Sequence, residues 1–169
     1  MDETVKRIVV AGGCFWGVEE YYRRVKGILT TQVGYAQGSV ENPTYQQVKT
    51  GTTQHAESVY LTYDSNIISS TKIIELLFRI IDPVSLNKQG EDEGTQYRTG
   101  IYCIDESDMK IAYQMIEELQ KNYEDKIVVE VEMLDRFYDA EEYHQKYLVK
   151  NPTGYCHVDF RKLKPEECK

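Results

Sequence analysis

A chain of 169 residues, 41% hydrophobic and 28% charged, has the size and composition of one globular domain with a real core. Its formal net charge of −8, with no Lys/Arg-rich block, argues against a general affinity for nucleic acid or an anionic membrane. No stretch approaches the roughly 18 apolar residues of a membrane span, and Met1-Asp2-Glu3-Thr4-Val5-Lys6-Arg7 shows no signal-peptide pattern, so a cytosolic location is expected.

The apolar run Ile8-Val9-Val10-Ala11 predicts a strand over about 6–11, and the segment that follows a helix over about 14–25, stopped by Gly27. A strand over about 28–35 comes next, then a polar loop over about 37–56 containing Asn42-Pro43 and Gly51. Ser58-Val59-Tyr60-Leu61-Thr62-Tyr63 alternates as a strand does. Ser69 or Ser70 caps a helix whose Ile73, Ile74, Leu77, Phe78 and Ile81 share one apolar face, ended by Asp82-Pro83. A second polar loop, about 85–94, leads into a strand over about 98–104. Ser107 is placed to cap a helix with Ile111, Ala112, Met115, Ile116 and Leu119 inside. Ile127, Val129, Val131 and Met133 then alternate as a half-buried strand, and a short helical piece follows over about 140–148. From Asn151 the pattern fades into an irregular, polar C-terminal tail. This order predicts a single α+β catalytic domain over 1–169, with 151–169 as a flexible tail. The expected architecture is a two-layer α/β sandwich with a mixed sheet and a ferredoxin-like core. The loops near 37–57 and 85–97 are the places to look for function.

Four cysteines, Cys14, Cys103, Cys156 and Cys168, are too few and too widely spaced for a disulfide scaffold, and none forms a C-x-x-C pair. Cys14 stands between a buried strand and a helix start, where unpaired N–H groups and the helix dipole favour an anion, so a lowered thiol pKa is expected. The plainer alternative is a core thiol packed under the helix. Gly13 and Gly17 let backbone approach a ligand closely, and Phe15 with Trp16, the sole tryptophan, adds an aromatic wall.

Glu57, in His55-Ala56-Glu57, is either a solvated strand start or a carboxyl turned into an aromatic pocket, where desolvation makes it a proton donor near neutral pH. His55 reads as a structural hydrogen-bonder. The row Glu91-Asp92-Glu93 has the look of a solvated acidic turn and matches no calcium loop. In Gly154-Tyr155-Cys156-His157 a thiol sits on the tail, from which it can swing to meet a sulfenic acid formed elsewhere. Cys103, within an apolar strand, is expected to be inert. Some of the 14 tyrosines are candidate hydrogen-bond donors.

Together these segments resemble peptide methionine sulfoxide reductase of the A type. The matching pieces are Gly13-Cys14-Phe15-Trp16-Gly17, then Asn42-Pro43-Thr44-Tyr45 with Gly51-Thr52 and His55-Ala56-Glu57. Asp92-x-Gly94-Thr95-Gln96-Tyr97-Arg98 and Asn151-Pro152-x-Gly154-Tyr155-Cys156 complete them, in order, over about residues 7–157. The resemblance implies thiol-dependent reduction of methionine S-sulfoxide, free or in proteins, as repair of oxidative damage, with no metal or organic cofactor. It implies Cys14 as nucleophile, passing through sulfenic acid, and Glu57 as proton donor to the sulfoxide oxygen. Tyr45 and Tyr97 would be the phenols that bind this oxygen, Asp92 a supporting carboxylate, and Phe15 and Trp16 the cage around the substrate methyl. Cys156 would be the resolving cysteine, forming a disulfide with Cys14 that thioredoxin reduces. After Cys156 the chain departs from the pattern: His157-Val158-Asp159-Phe160-Arg161 replaces a glycine-rich tail with a nearby further cysteine, which leaves Cys168 outside the resemblance. Two other readings use the same residues: a thiol peroxidase or redox sensor built on the Cys14 and Cys156 pair, and a binding module in which Cys14, Cys156 and His157 hold zinc.

Overall fold

The structure, a computed structural model, describes residues 4–169. The chain order is β1 (Val5–Gly12), α1 (Phe15–Arg23), β2 (Ile28–Ala36), α2 (Tyr45–Lys49), β3 (Ala56–Asp64) and α3 (Ser70–Ile80). A two-residue pair, β4 (Lys88–Gln89) and β5 (Asp92–Glu93), precedes β6 (Thr99–Cys103), α4 (Glu106–Gln120), β7 (Glu130–Met133), β8 (Phe137–Asp139) and α5 (Tyr147–Lys150).

β1 occupies the middle of a six-stranded sheet of order β7-β6-β1-β3-β2-β8. Neighbours are antiparallel except β6 and β7, which run parallel, so the sheet is mixed. The four strands β6-β1-β3-β2 with α1 and α3 make two β-α-β units, the ferredoxin-like arrangement. The period of two along β1 divides the core: Ile8 and Val10 join the large cluster with Val18, Tyr22, Ile73 and Leu77 of the helices. Val9 and Ala11 face the other way, into a smaller cluster with Ala36, Ala56 and Tyr102.

Local chemistry accounts for the differences from the sequence reading. The first polar loop contains α2, whose Thr44 and Gln47 form a reciprocal capping box. Asp105, not Ser107, caps α4, its carboxylate accepting from the Ser107 backbone N–H at 2.9 Å and occupying the Ser107 hydroxyl at 2.9 Å. The expected strand through Ile127 and Val129 is laddered only from Glu130. There Val128 N–H donates instead to the Pro83 carbonyl at 2.8 Å. β8 is a short edge strand that pairs Phe137, Tyr138 and Asp139 with Ala36, Tyr35 and Gly34.

Residues 151–169 lie along the helical layer. Lys26 N–H donates to the Glu167 carbonyl at 2.9 Å, and Val25 makes a bridge with Cys168. The Glu167 carboxylate takes Arg79 Nη1 at 2.7 Å and Nη2 at 3.0 Å and also pairs with Lys72, which holds its carboxyl far below the usual range. Among the described residues no helix is long and apolar enough to cross a membrane.

Candidate active site

β1 ends at Gly12, and the positive φ of Gly13 (92°) then turns the chain so that Cys14 becomes the residue heading α1. Cys14 is 7% exposed. Its thiol pKa is raised, against the expectation from helix position. Burial is the largest cause, the Glu57 carboxylate the next, with Asp92 and Cys156 adding to it, while the Trp16 backbone N–H pulls the other way. A helix terminus contributes at most about 2 kcal/mol, whereas burial beside a carboxylate moves a pKa by several units.

Glu57 comes from the start of β3, opposite Tyr35 of β2. It is 2% exposed and accepts the Phe15 backbone N–H at 3.2 Å, so it bonds into the first turn of the helix that Cys14 heads. Burial raises its pKa to about 8, with the charge of Asp92 in support, so it carries a proton at neutral pH. The solvated reading of Glu57 is thereby set aside. Tyr45 opens α2, and its phenol pKa is pushed up to about 12 by burial, Glu57 and Cys14. Tyr97 ends the 3-10 turn Thr95–Tyr97 and is raised by burial, then by Glu57, Tyr45, Asp92 and Cys14. Asp92 turns inward from the acidic row while Glu91 and Glu93 stay exposed, and its Oδ2 is buried without a hydrogen-bond partner among the described residues. Cys14, Glu57, Tyr45, Asp92 and Tyr97 thus converge from four separate segments.

The aromatic wall is deeper than two side chains. Phe15 is fully buried, 5.8 Å from the Tyr35 ring. Trp16 stacks on Tyr147 at 3.8 Å and 9°, and its Nε1–H donates to His144 Nδ1 at 2.9 Å. His144, 1% exposed, also meets the rings of Phe15 (5.2 Å), Tyr45 (4.4 Å) and Tyr143 (4.0 Å). Burial lowers its pKa, and because Nδ1 accepts from Trp16 the ring is neutral with its proton on Nε2. Sequence reasoning gives no role to His144 or Tyr147, and the helical piece expected over 140–148 is broken in the structure. A 3-10 turn (Glu142–His144) is separated from α5 by Lys146, whose φ of 52° ends helical continuity, so no helical spacing signals the pair.

Their segment is pinned by polar side chains of its own. Glu141 accepts from the Tyr35 hydroxyl at 2.8 Å and the Tyr45 N–H at 2.9 Å, and Gln145 clasps Val33 N and O at 2.9 and 2.8 Å. The Lys146 N–H donates to buried Glu19 at 2.7 Å. Across the pocket, Arg98 ties Glu130 (2.7 Å), the Thr95 carbonyl (2.9 Å) and the Gln54 carbonyl (2.9 Å) together, bracing the segments before Glu57 and Tyr97. His55 hydrogen-bonds the Gly38 N–H at 3.0 Å and the Val40 carbonyl at 2.7 Å, a loop-holding role.

Cys156 is half-buried against α1: a Cβ on Gly17 would stand 2.7 Å from its Sγ. Burial raises its pKa, with nearby Arg24 acting in the opposite sense. Cys103 is fully buried in β6. Cys168 makes a backbone bridge with Val25, beyond the C-terminal end of α1, whereas Cys156 lies against Gly17 in its first turn. Among the described residues no group of three or more His, Cys, Asp or Glu side chains is placed to hold a metal ion, so the zinc reading has no support.

The family model described as Peptide methionine sulfoxide reductase matches residues 6–168. The peptide methionine sulfoxide reductase MsrA of Clostridium botulinum (strain Okra / Type B1) is 58% identical over 154 residues, covering 91% of this chain and 98% of that one. The crystal structure of Mxr1 from Saccharomyces cerevisiae in reduced form superposes with a TM-score of 0.87 at 39% identity, covering 94% of this chain and 93% of that one. Mxr1 in complex with Trx2 matches with a TM-score of 0.63 at 29% identity, covering 87% of each chain. With the family model matching residues 6–168, a relative 58% identical over 91% of the chain and the fold shared with reduced Mxr1, the chain belongs to the peptide methionine sulfoxide reductase family.

Proposed function

We propose that this protein reduces methionine S-sulfoxide, free or in oxidised proteins, to methionine in the cytosol, with Cys14 as nucleophile and thioredoxin as reductant. The observation that carries the reading is Glu57, a carboxyl that burial keeps protonated up to about pH 8 in the pocket of Cys14. A sulfoxide oxygen departs from its sulfur only if it gains protons as the bond breaks. Glu57 supplies one, and the Tyr45 and Tyr97 hydroxyls donate hydrogen bonds to the same oxygen, where charge develops. Asp92 contributes through its charge, which discourages ionisation of Glu57.

The step balances within the site. Cys14 Sγ attacks the sulfoxide sulfur as Glu57 protonates the oxygen. The oxygen then passes to Cys14 Sγ as its bond to the substrate sulfur and the transient S–S bond break, so the thiol is oxidised to sulfenic acid as the sulfoxide is reduced. The proton that Glu57 gives is replaced by the one Cys14 loses. Phe15 and Trp16 take the substrate methyl, and an apolar slot beside fixed donors distinguishes the two epimers at sulfur. Cys156 then attacks the sulfenic acid, forming the disulfide as water leaves, and thioredoxin restores both thiols by exchange. Support for thioredoxin comes from the related Mxr1, which has been crystallised with Trx2. The test is turnover of a methionine sulfoxide peptide by dithiothreitol: activity is expected in the wild type, and a Cys14→Ser variant with wild-type activity would overturn the reading.

A further inference from the structure

Cys156 is held from both sides by its chain neighbours, Tyr155 within the family resemblance and His157 just beyond it. On one side the Tyr155 hydroxyl faces the Asp92 carboxylate, which with burial pushes its pKa up to about 12. On the other side His157 Nε2 lies 2.8 Å from the Gly12 carbonyl. A carbonyl only accepts, so Nε2 carries the proton, and Nδ1 is buried without a partner among the described residues. The imidazole is therefore held by that one bond and by its slot. The slot is made by glycines: a Cβ on Gly13 would stand 3.0 Å from His157 Nε2, and one on Gly90 2.9 Å from His157 Cβ. Gly90 belongs to the β4–β5 turn, which Gln89 anchors through Asp82 N at 2.8 Å and Asp82 O at 2.9 Å.

We propose that His157 is a positioning residue for the resolving step, its Nε2–H bond to Gly12 docking the Cys156 segment on the strand end that presents Cys14. Gly12 lies two residues before Cys14 and His157 one residue after Cys156, so a single hydrogen bond references both thiols to the same piece of backbone. This inference rests on the function proposed above. The step it serves is attack of the Cys156 thiol on the Cys14 sulfenic acid: the S–S bond forms, the S–O bond breaks, and the Cys156 proton leaves with the hydroxyl as water. Docking acts on this step alone, through orientation, and a misplacement of about 1 Å costs on the order of 10²-fold in rate.

The experiment mixes reduced enzyme with a methionine sulfoxide peptide and quenches with acid, following methionine formation and thiol loss separately by mass spectrometry. His157→Phe keeps a ring in the slot and removes the donor; His157→Gln keeps a donor of similar reach. The expected result is an unchanged methionine burst in both variants. Disulfide formation should be slowed about 10-fold or more in His157→Phe, with trappable sulfenic acid accumulating, and near the wild-type rate in His157→Gln. A wild-type disulfide rate in His157→Phe, an equal loss in both variants, or a burst that falls with the disulfide rate would overturn the proposal. Absence of a burst in the wild type would instead overturn the underlying function.

Discussion

Replacing Glu57 by Gln should leave stability almost unchanged in acid and raise it in alkali. Glu57 is 2% exposed, and its pKa stands at about 8 in the folded chain against an ordinary 4.5. Between these values the folded state holds a proton that the unfolded state has released, so wild-type stability falls as pH rises through that window. A rise of about 3.5 in pKa, at about 1.36 kcal/mol each, puts the full cost near 5 kcal/mol above pH 8. At pH 7 about 3 kcal/mol of it is present, and at pH 5 less than about 1 kcal/mol. Gln carries no proton equilibrium, and its amide oxygen can still accept the Phe15 N–H that Glu57 accepts at 3.2 Å. Any packing difference between the two side chains is therefore a constant offset.

Thermal melts of both proteins from pH 5 to 9 read this directly. At about 2–4 °C per kcal/mol for a domain of this size, the change of about 4 kcal/mol between pH 5 and 9 should widen the advantage of Glu57→Gln by roughly 8–16 °C. Parallel curves for the two proteins would refute the reasoning. They would mean that Glu57 ionises in the folded state as readily as in water, and the acid proposed for the chemistry would be missing.

Three further outcomes are expected. The single-turnover rate of methionine formation should decline as pH rises through about 8, where Glu57 loses its proton, while Glu57→Gln should be slower by about 10²-fold or more and lack that decline. Cys156→Ser should release about one methionine per enzyme and then stop with thioredoxin as reductant, a stoichiometry that a quenched time course measures. Gly17→Ala places a Cβ 2.7 Å from Cys156 Sγ and 3.0 Å from Val158 Cγ2, so it should displace the Cys156 segment and slow disulfide formation more than methionine formation.

Periodicity made the central strands and long helices legible, because Ile8 to Ala11 and Ile73 to Ile81 bury enough surface to declare their faces. The short pieces were not, since a five-residue helix and a three-residue edge strand carry too few apolar residues for a period to register. The Thr44 and Gln47 spacing was the usable sign for α2. His144 escaped for a different reason. It sits in Glu141-Glu142-Tyr143-His144-Gln145-Lys146, a stretch whose polarity suggests solvent, yet Glu141 and Gln145 spend theirs on bonds to β2 and α2 more than a hundred residues away in sequence or nearly so. The Cys14 thiol departs from the sequence expectation because its helix position is local and readable, whereas the burial that raises its pKa, and the Glu57 carboxyl that adds to it, come from tertiary packing against β3.

That same opposition separates the reductase from a thiol peroxidase built on Cys14 and Cys156. A peroxidase needs the thiolate in its resting site, because the thiolate is the species that attacks peroxide. Here burial holds Cys14 as the thiol, the Glu57 charge adds to this only above about pH 8, and below that the protonated Glu57 suits a substrate whose oxygen must be protonated to leave. Glu57→Gln should therefore move the two activities in opposite directions. Sulfoxide reduction loses its acid and falls. Oxidation of Cys14 by hydrogen peroxide at pH 9 should rise by about 3- to 10-fold, because the carboxylate that repels the thiolate is gone. If Glu57 were instead a base serving a peroxidatic cysteine, the substitution would slow both reactions, and rapid mixing with each oxidant in turn would show it.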